Sequence, residues 1–148
     1  MPSNSAKKIV HVHHGKENFK TVMTAGSHEL VADEPKDVGG TNQGPDPYDY
    51  LLMSLGSCTA ITLKMYADRK KWAVDDIYVE LRHVKDHASD CEHCDENSAK
   101  IDWIEKEIIV KGDLSQEQLD KLLEISHKCP VNRTLKNDIE MKATIEQK

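Results

Sequence analysis

The chain has 148 residues, a length that predicts one domain spanning 1–148. Apolar residues make up 38% and charged residues 31%, the balance of a soluble globular protein and not of a disordered segment. A net charge of −6 excludes the basic footprint of a nucleic-acid binder, and the charge-free stretch from Tyr50 to Leu63 is shorter than the ~18 apolar residues that signal a membrane span.

Met1 to Lys8 contains no apolar run after its lysines, so no secretory signal is expected and the chain reads as cytoplasmic. Three short strands are predicted next, at Ile9–Val12, Phe19–Met23 and Glu29–Ala32, with Gly15 and Gly26 as punctuation. Together they predict an antiparallel meander. Asp33 to Pro47 holds three prolines and three glycines, too many breakers for regular structure, and is expected to be a loop.

A long helix is predicted from Tyr48 to Lys71, with Asp46 as N-cap and Pro47 in the first turn. From Tyr50 to Leu63 apolar residues surround it on all sides, the pattern of a helix buried on most faces. One small domain can hardly cover such a helix, so a second subunit is expected to supply the rest.

Val74–Lys85 and Ile101–Lys111 alternate and read as two strands of an extended hairpin. A polar loop, 86–100, joins them and carries Cys91 and Cys94. Ser115 followed by Gln118 is a capping box, and a helix is predicted from Gln116 to Lys128 with Leu119, Leu122, Leu123 and Ile125 inward. Val131–Lys136 is expected to form one helical turn, and Ile139–Ile145 a closing strand. Helices segregated from antiparallel strands define an α+β chain.

Four cysteines are too few for a stapled scaffold, so they point to redox chemistry or metal. Cys58 lies deep in the apolar helix, where a thiol most simply acts as a small hydrophobe. Cys129 is flanked by His127, Lys128 and Arg133, and nearby cations favour a thiolate. Equally, those basic residues suit a helix end. Cys91-x-x-Cys94 with His83 and His87 is a conceivable zinc set, although one C-x-x-C is half of a conventional site. His11, His13 and His14 alternate on a strand and read as a polar face.

Two segments carry a family resemblance. Gly39-Gly40-Thr41-Asn42-Gln43-Gly44-Pro45-Asp46-Pro47-Tyr48-Asp49-Tyr50-Leu51-Leu52 runs into Ser54-Leu55-Gly56-Ser57-Cys58-Thr59 and resembles the OsmC/Ohr family. Lys128-Cys129-Pro130-Val131-Asn132-Arg133-Thr134-Leu135 resembles its second motif. The resemblance implies an intertwined homodimer with antiparallel sheets packed around a long buried central helix. It also implies a thiol-dependent peroxidase acting on organic hydroperoxides, with Cys58 peroxidatic and Cys129 resolving. No cofactor is required by that chemistry, and a dithiol, such as a lipoyl group, is the expected reductant.

The family pattern places an arginine near the N-terminus and a glutamate ten residues before the first cysteine. Here the first arginine is Arg69, and Tyr48 stands ten residues before Cys58. Asp49 is the candidate acid partner and Arg133 the candidate cation. The missing pair motivates an alternative: a non-catalytic dimeric OsmC-like binding protein, with metal held by the Cys91/Cys94 loop.

Overall fold

The computed structural model describes residues 7–87 and 100–148. The chain divides into two compact units, Met1–Leu51 and Leu52–Lys148.

In the first unit β1 (His11–His14), β2 (Thr21–Ala25) and β3 (His28–Ala32) form an antiparallel sheet in the order β1-β2-β3. The meander is the expected one, but β1 begins two residues later than alternation predicts. Pairing starts where β2 lies opposite, at His11↔Thr24. Ile9 and Val10 precede that register and are exposed.

Beyond β3 the loop is organised by one carboxylate. Asp33, only 2% exposed, accepts hydrogen bonds from the Glu34 N–H (2.7 Å), the Thr41 hydroxyl (2.8 Å) and the Gln43 N–H (3.1 Å). Backbone bonds from Gly40 to Pro35 and from Asn42 to Glu34 tighten the same turn. A side chain at Gly40 would collide with the Glu34 backbone carbonyl, so only glycine permits this approach. Tyr50 ties the loop's far end to the sheet by donating its hydroxyl to the Val31 carbonyl, 2.5 Å away.

Helix α1 runs from Pro47 to Lys70. Its start is as expected: the Asp46 carboxylate accepts from the Asp49 N–H (2.8 Å), and the Asp49 carboxylate accepts from the Asp46 N–H (3.1 Å). This reciprocal pair satisfies donors that a helix start leaves open. At the other end Lys71 adopts φ +57°, with its N–H on Asp68 and the Trp72 N–H on Ala67. That is a Schellman closure with lysine in the position that glycine usually fills. Within the chain α1 buries one stripe, Leu55, Gly56, Thr59, Leu63 and Ala67, while Met53, Ile61 and Met65 remain more than half exposed.

In the second unit β4 (Ala73–His87) and β5 (Lys100–Asp113) pair antiparallel, from Ala73↔Asp113 to His87↔Lys100. Their less exposed faces carry Ile77, Val79, Leu81 and His83 on β4, and Ile104, Lys106, Ile108 and Val110 on β5. A Cβ on Gly56 would stand 2.6 Å from the Leu81 side chain, so glycine lets α1 lie close to β4. Leu63, Leu122 and Ile125 form the core, with Tyr66, Trp72, Val74, Ile77, Ile108, Val110 and Leu114 against them. Removing a side chain such as Leu63 from water stabilises the fold by about 2 kcal/mol.

Helix α2 (Gln116–Ser126) opens with the expected capping box: Ser115 Oγ accepts from Gln118 N–H, and Gln118 Oε1 accepts from Ser115 N–H. Two expectations for it need correction. It ends at Ser126, two residues early, and Leu123 is exposed. Leu122 and Leu123 lie about 100° apart on a helix, so the stripe through Leu122, Ile125 and Ser126 turns Leu123 outward. The predicted single turn near Pro130 is a helix, α3 (Pro130–Lys136), with proline in its first turn and Cys129 as N-cap.

The expected closing strand at Ile139–Ile145 does not form; residues 137–148 carry no regular structure. Alternation supplies an apolar face, but a strand also needs a neighbour for its N–H and C=O groups, and among the described residues no strand pairs with this segment. Met141 is 86% exposed and Ile145 fully exposed. Among the described residues no helix is long and apolar enough to cross a membrane.

Candidate active site

Cys129 lies where α2 gives way to α3 and is completely buried. Pro130 forces the new helix to start, and the Asn132 N–H then donates to the Cys129 sulfur at 3.4 Å. Thr59, one residue after Cys58 on α1, puts its hydroxyl oxygen 3.6 Å from the same sulfur. That hydroxyl donates to the Leu55 carbonyl at 2.8 Å, so its oxygen is left to accept. Cys58 itself is half-buried, and both cysteines are free thiols.

The cation beside them comes from β5. Lys106 donates from Nζ to the Ser126 carbonyl (3.0 Å), to Asn132 Oδ1 (3.0 Å) and, at 3.5 Å, to Thr59 Oγ1. Asn132 is fixed in turn by donating its amide to the His127 carbonyl at 3.1 Å. One ammonium thus joins α1, the end of α2 and the start of α3. Burial pushes Lys106 below its ordinary value, against the opposing pull of Cys129; Lys136 adds to the lowering, and Cys58 acts as Cys129 does. The Thr59 hydroxyl thus stands between Nζ (3.5 Å) and the Cys129 sulfur (3.6 Å).

Among the residues singled out by sequence, Cys129 lies in this cluster, and Cys58 precedes Thr59 on α1. Asp49 contributes its carboxylate to the cap of α1. Arg133 is exposed in the last turn of α3, where its charge complements the terminal carbonyls. His83 Nε2 lies 3.0 Å from Asp102 Oδ1. Cys91 and Cys94, and the His87 side chain, lie outside the described residues, and with them the conceivable zinc set. Among the described residues no three His, Cys, Asp or Glu side chains gather as a metal site. Lys106 was not anticipated, yet its signal is legible: it occupies an inward position of the alternation Ile104-Lys106-Ile108-Val110, where an apolar residue is the rule.

The architecture is mixed α/β with antiparallel sheets, its two described cysteines are free thiols, and comparison with known proteins makes the class specific. The family described as OsmC-like protein matches residues 40–144, and the chain belongs to that family. Its fold is similar to that of the OsmC-like protein from Mycoplasma pneumoniae (15% identity, 88% of this chain and 87% of that chain, TM-score 0.71). It is also similar to the organic hydroperoxide resistance protein OsmC from Legionella pneumophila (17% identity, 87% and 88%, TM-score 0.63). A third similar structure is the organic hydroperoxide resistance protein from Elizabethkingia anophelis (18% identity, 90% and 91%, TM-score 0.64). No curated protein matches the sequence.

Proposed function

We propose that the protein is a thiol-dependent peroxidase that reduces organic hydroperoxides, and that it works as a homodimer. The observation that carries this reading is a fully buried free thiol, Cys129, that meets the Lys106 ammonium on the Thr59 hydroxyl, one residue after the half-buried free thiol Cys58, in a member of the OsmC-like family. Solved neighbours of the same fold are named organic hydroperoxide resistance proteins.

In the first step the Cys58 thiolate attacks the distal peroxide oxygen. The O–O bond breaks, the alkoxide takes up a proton and leaves as alcohol, and Cys58 becomes a sulfenic acid. In the second, the Cys129 sulfur displaces hydroxide from that sulfenic acid. The Cys129 proton completes a water molecule, and a Cys58–Cys129 disulfide remains. A dithiol reductant, of lipoyl type or another, then exchanges with the disulfide, becoming oxidised itself and returning both thiols. Dimer formation is favoured by the apolar side chains left uncovered in the second unit: Met53, Ile61 and Met65 on α1, and Met141 and Ile145 in the terminal segment.

The test is peroxide consumption with an organic hydroperoxide and a dithiol, comparing the wild type with Cys58→Ser and Cys129→Ser. Turnover is expected to vanish in Cys58→Ser, and peptide mapping of oxidised wild type should yield a Cys58–Cys129 disulfide. A wild type that consumes no peroxide and keeps Cys58 reduced under excess oxidant would leave the binding-protein alternative in its place.

A further inference from the structure

Lys106 carries a charge that no carboxylate among the described residues answers. Among the described residues no Asp or Glu lies within ion-pair distance of its Nζ; its hydrogen-bond acceptors are a carbonyl, an amide oxygen and a hydroxyl, all neutral. The titratable groups that these contacts bring near it are Cys129, whose sulfur lies 3.6 Å from the Thr59 hydroxyl that Nζ reaches, Cys58, which precedes Thr59 on α1, and Lys136 at the end of α3. Lys136 repels it. Buried ions in proteins are paired or are driven toward neutrality, and the Coulomb energy of a close pair grows as water is excluded. The two sulfurs are the groups in this set that can supply negative charge.

We propose that Lys106 is the positioning cation of the cysteine pair: its ammonium answers thiolate charge at Cys58 and Cys129 while its three hydrogen bonds hold the Cys129 turn against α1. It would thereby take the part of a guanidinium that the N-terminal segment, whose first arginine comes only at Arg69, does not offer. Lysine suits this place because a compact point charge with three rotatable donors can meet acceptors from three different elements, where a planar fork favours one bidentate partner. The role in turnover rests on the peroxidase reading; the electrostatic role does not.

Two functions of the side chain must be separated, the clasp and the charge. Lys106→Gln keeps amide donors for the Ser126 carbonyl and Asn132 but removes the charge; Lys106→Arg keeps the charge. The readout is the rate of iodoacetamide modification of Cys58 across pH, resolved by peptide mass spectrometry, with Cys91 and Cys94 in the same digest as reference thiols. In Lys106→Gln the pH at which Cys58 reaches half its maximal rate should rise by about one unit or more, the size expected on losing a nearby opposite charge, while Lys106→Arg stays near wild type. Asn132→Asp provides a second route that leaves Lys106 intact: a new carboxylate draws on the ammonium, and the Cys58 profile should again move upward. Peroxide consumption at neutral pH should fall about tenfold in Lys106→Gln, in step with the lost thiolate fraction, and recover in Lys106→Arg. A Cys58 profile unmoved in folded Lys106→Gln, or in Asn132→Asp if the former does not fold, would overturn the proposal. So would equal shifts in the Gln and Arg variants. Shifted profiles in a protein without peroxide turnover would retire the peroxidase reading and leave the cation's role standing.

Discussion

Asp33 and Lys106 are both enclosed by neutral partners, and their fates differ. Asp33 sits in the loop of the first unit; Lys106 sits on β5 of the second. Among the described residues neither has an oppositely charged side chain of the ordinary kind. Asp33 is surrounded by donors, and the Gln43 N–H above all holds its carboxyl below the ordinary value against the opposing pull of burial, with Thr41 and Glu34 helping. Its negative charge is thus satisfied, and its work is to close a loop. Lys106 is surrounded by acceptors, yet burial still wins and pushes it toward neutrality. A charge that hydrogen bonds fully satisfy serves the scaffold; the one left with a deficit, near the buried Cys129, is the one we propose to serve the cysteine pair.

The sharpest way to break the comparison is to remove Asp33. Asp33→Ala would leave the Glu34 and Gln43 amides and the Thr41 hydroxyl without their acceptor. Hydrogen exchange at Gln43 is expected to accelerate about tenfold or more, as local opening of the loop becomes cheaper. Unchanged exchange would show that the backbone bonds alone hold the loop. The pH dependence has a definite sign. With its native value lowered from 3.8, Asp33 contributes stability that is complete above that ordinary value and disappears as pH falls through the native one. Asp33→Asn should therefore flatten the acid limb of a thermal-melting series; an unaltered limb would assign it to other carboxylates.

Next in size is Asn132→Ala. It strips Lys106 of one acceptor and the His127 carbonyl of its donor in a place that is nearly dry, and urea unfolding should register a loss of about 3 kcal/mol. A loss below about 0.5 kcal/mol would mean that the ammonium finds another partner, and the contrast with Asp33 would weaken. Gly40→Ala tests the loop without touching a charge. Its methyl must displace the Glu34 carbonyl, and about 1–3 kcal/mol should be lost.

The smallest effect is expected at Lys71, which lies away from both charges and serves as a baseline. Its left-handed backbone strains a residue with a Cβ, so Lys71→Gly should stabilise the second unit by about 0.5 kcal/mol, after the entropy that glycine adds to the unfolded chain. Destabilisation would indicate that the lysine side chain contributes a contact worth more than the strain.

Much of the scaffold was legible because its signals are local. The Asp46 and Ser115 caps, the breaker-rich loop and the alternation of β4 and β5 each depend on residues within a few positions of one another. Failures came where the decisive partner is distant. Ile139–Ile145 has the alternation of a strand, but alternation cannot supply the neighbouring strand. Leu123 has the composition of a core residue, but the helix rotation that buries Leu122 excludes it. Both motif cysteines were identified through the family resemblance of their segments, and Arg133 was the candidate cation because it stands four residues after Cys129.

By itself the sequence determined that this chain is an α+β member of the OsmC-like family, where its long helix begins, and which two thiols carry its motifs. Those properties follow from periodicity, capping chemistry and short motifs, all written within a few turns of chain. Only the tertiary structure decided which side chains gather around the turn that holds the buried Cys129. Lys106 lies far along the chain from both cysteines, and strand β5 with the α2–α3 turn brings it to Thr59, Ser126 and Asn132. Electrostatic and hydrogen-bonding energies depend on distance in space, and sequence separation does not encode that distance until the chain has folded.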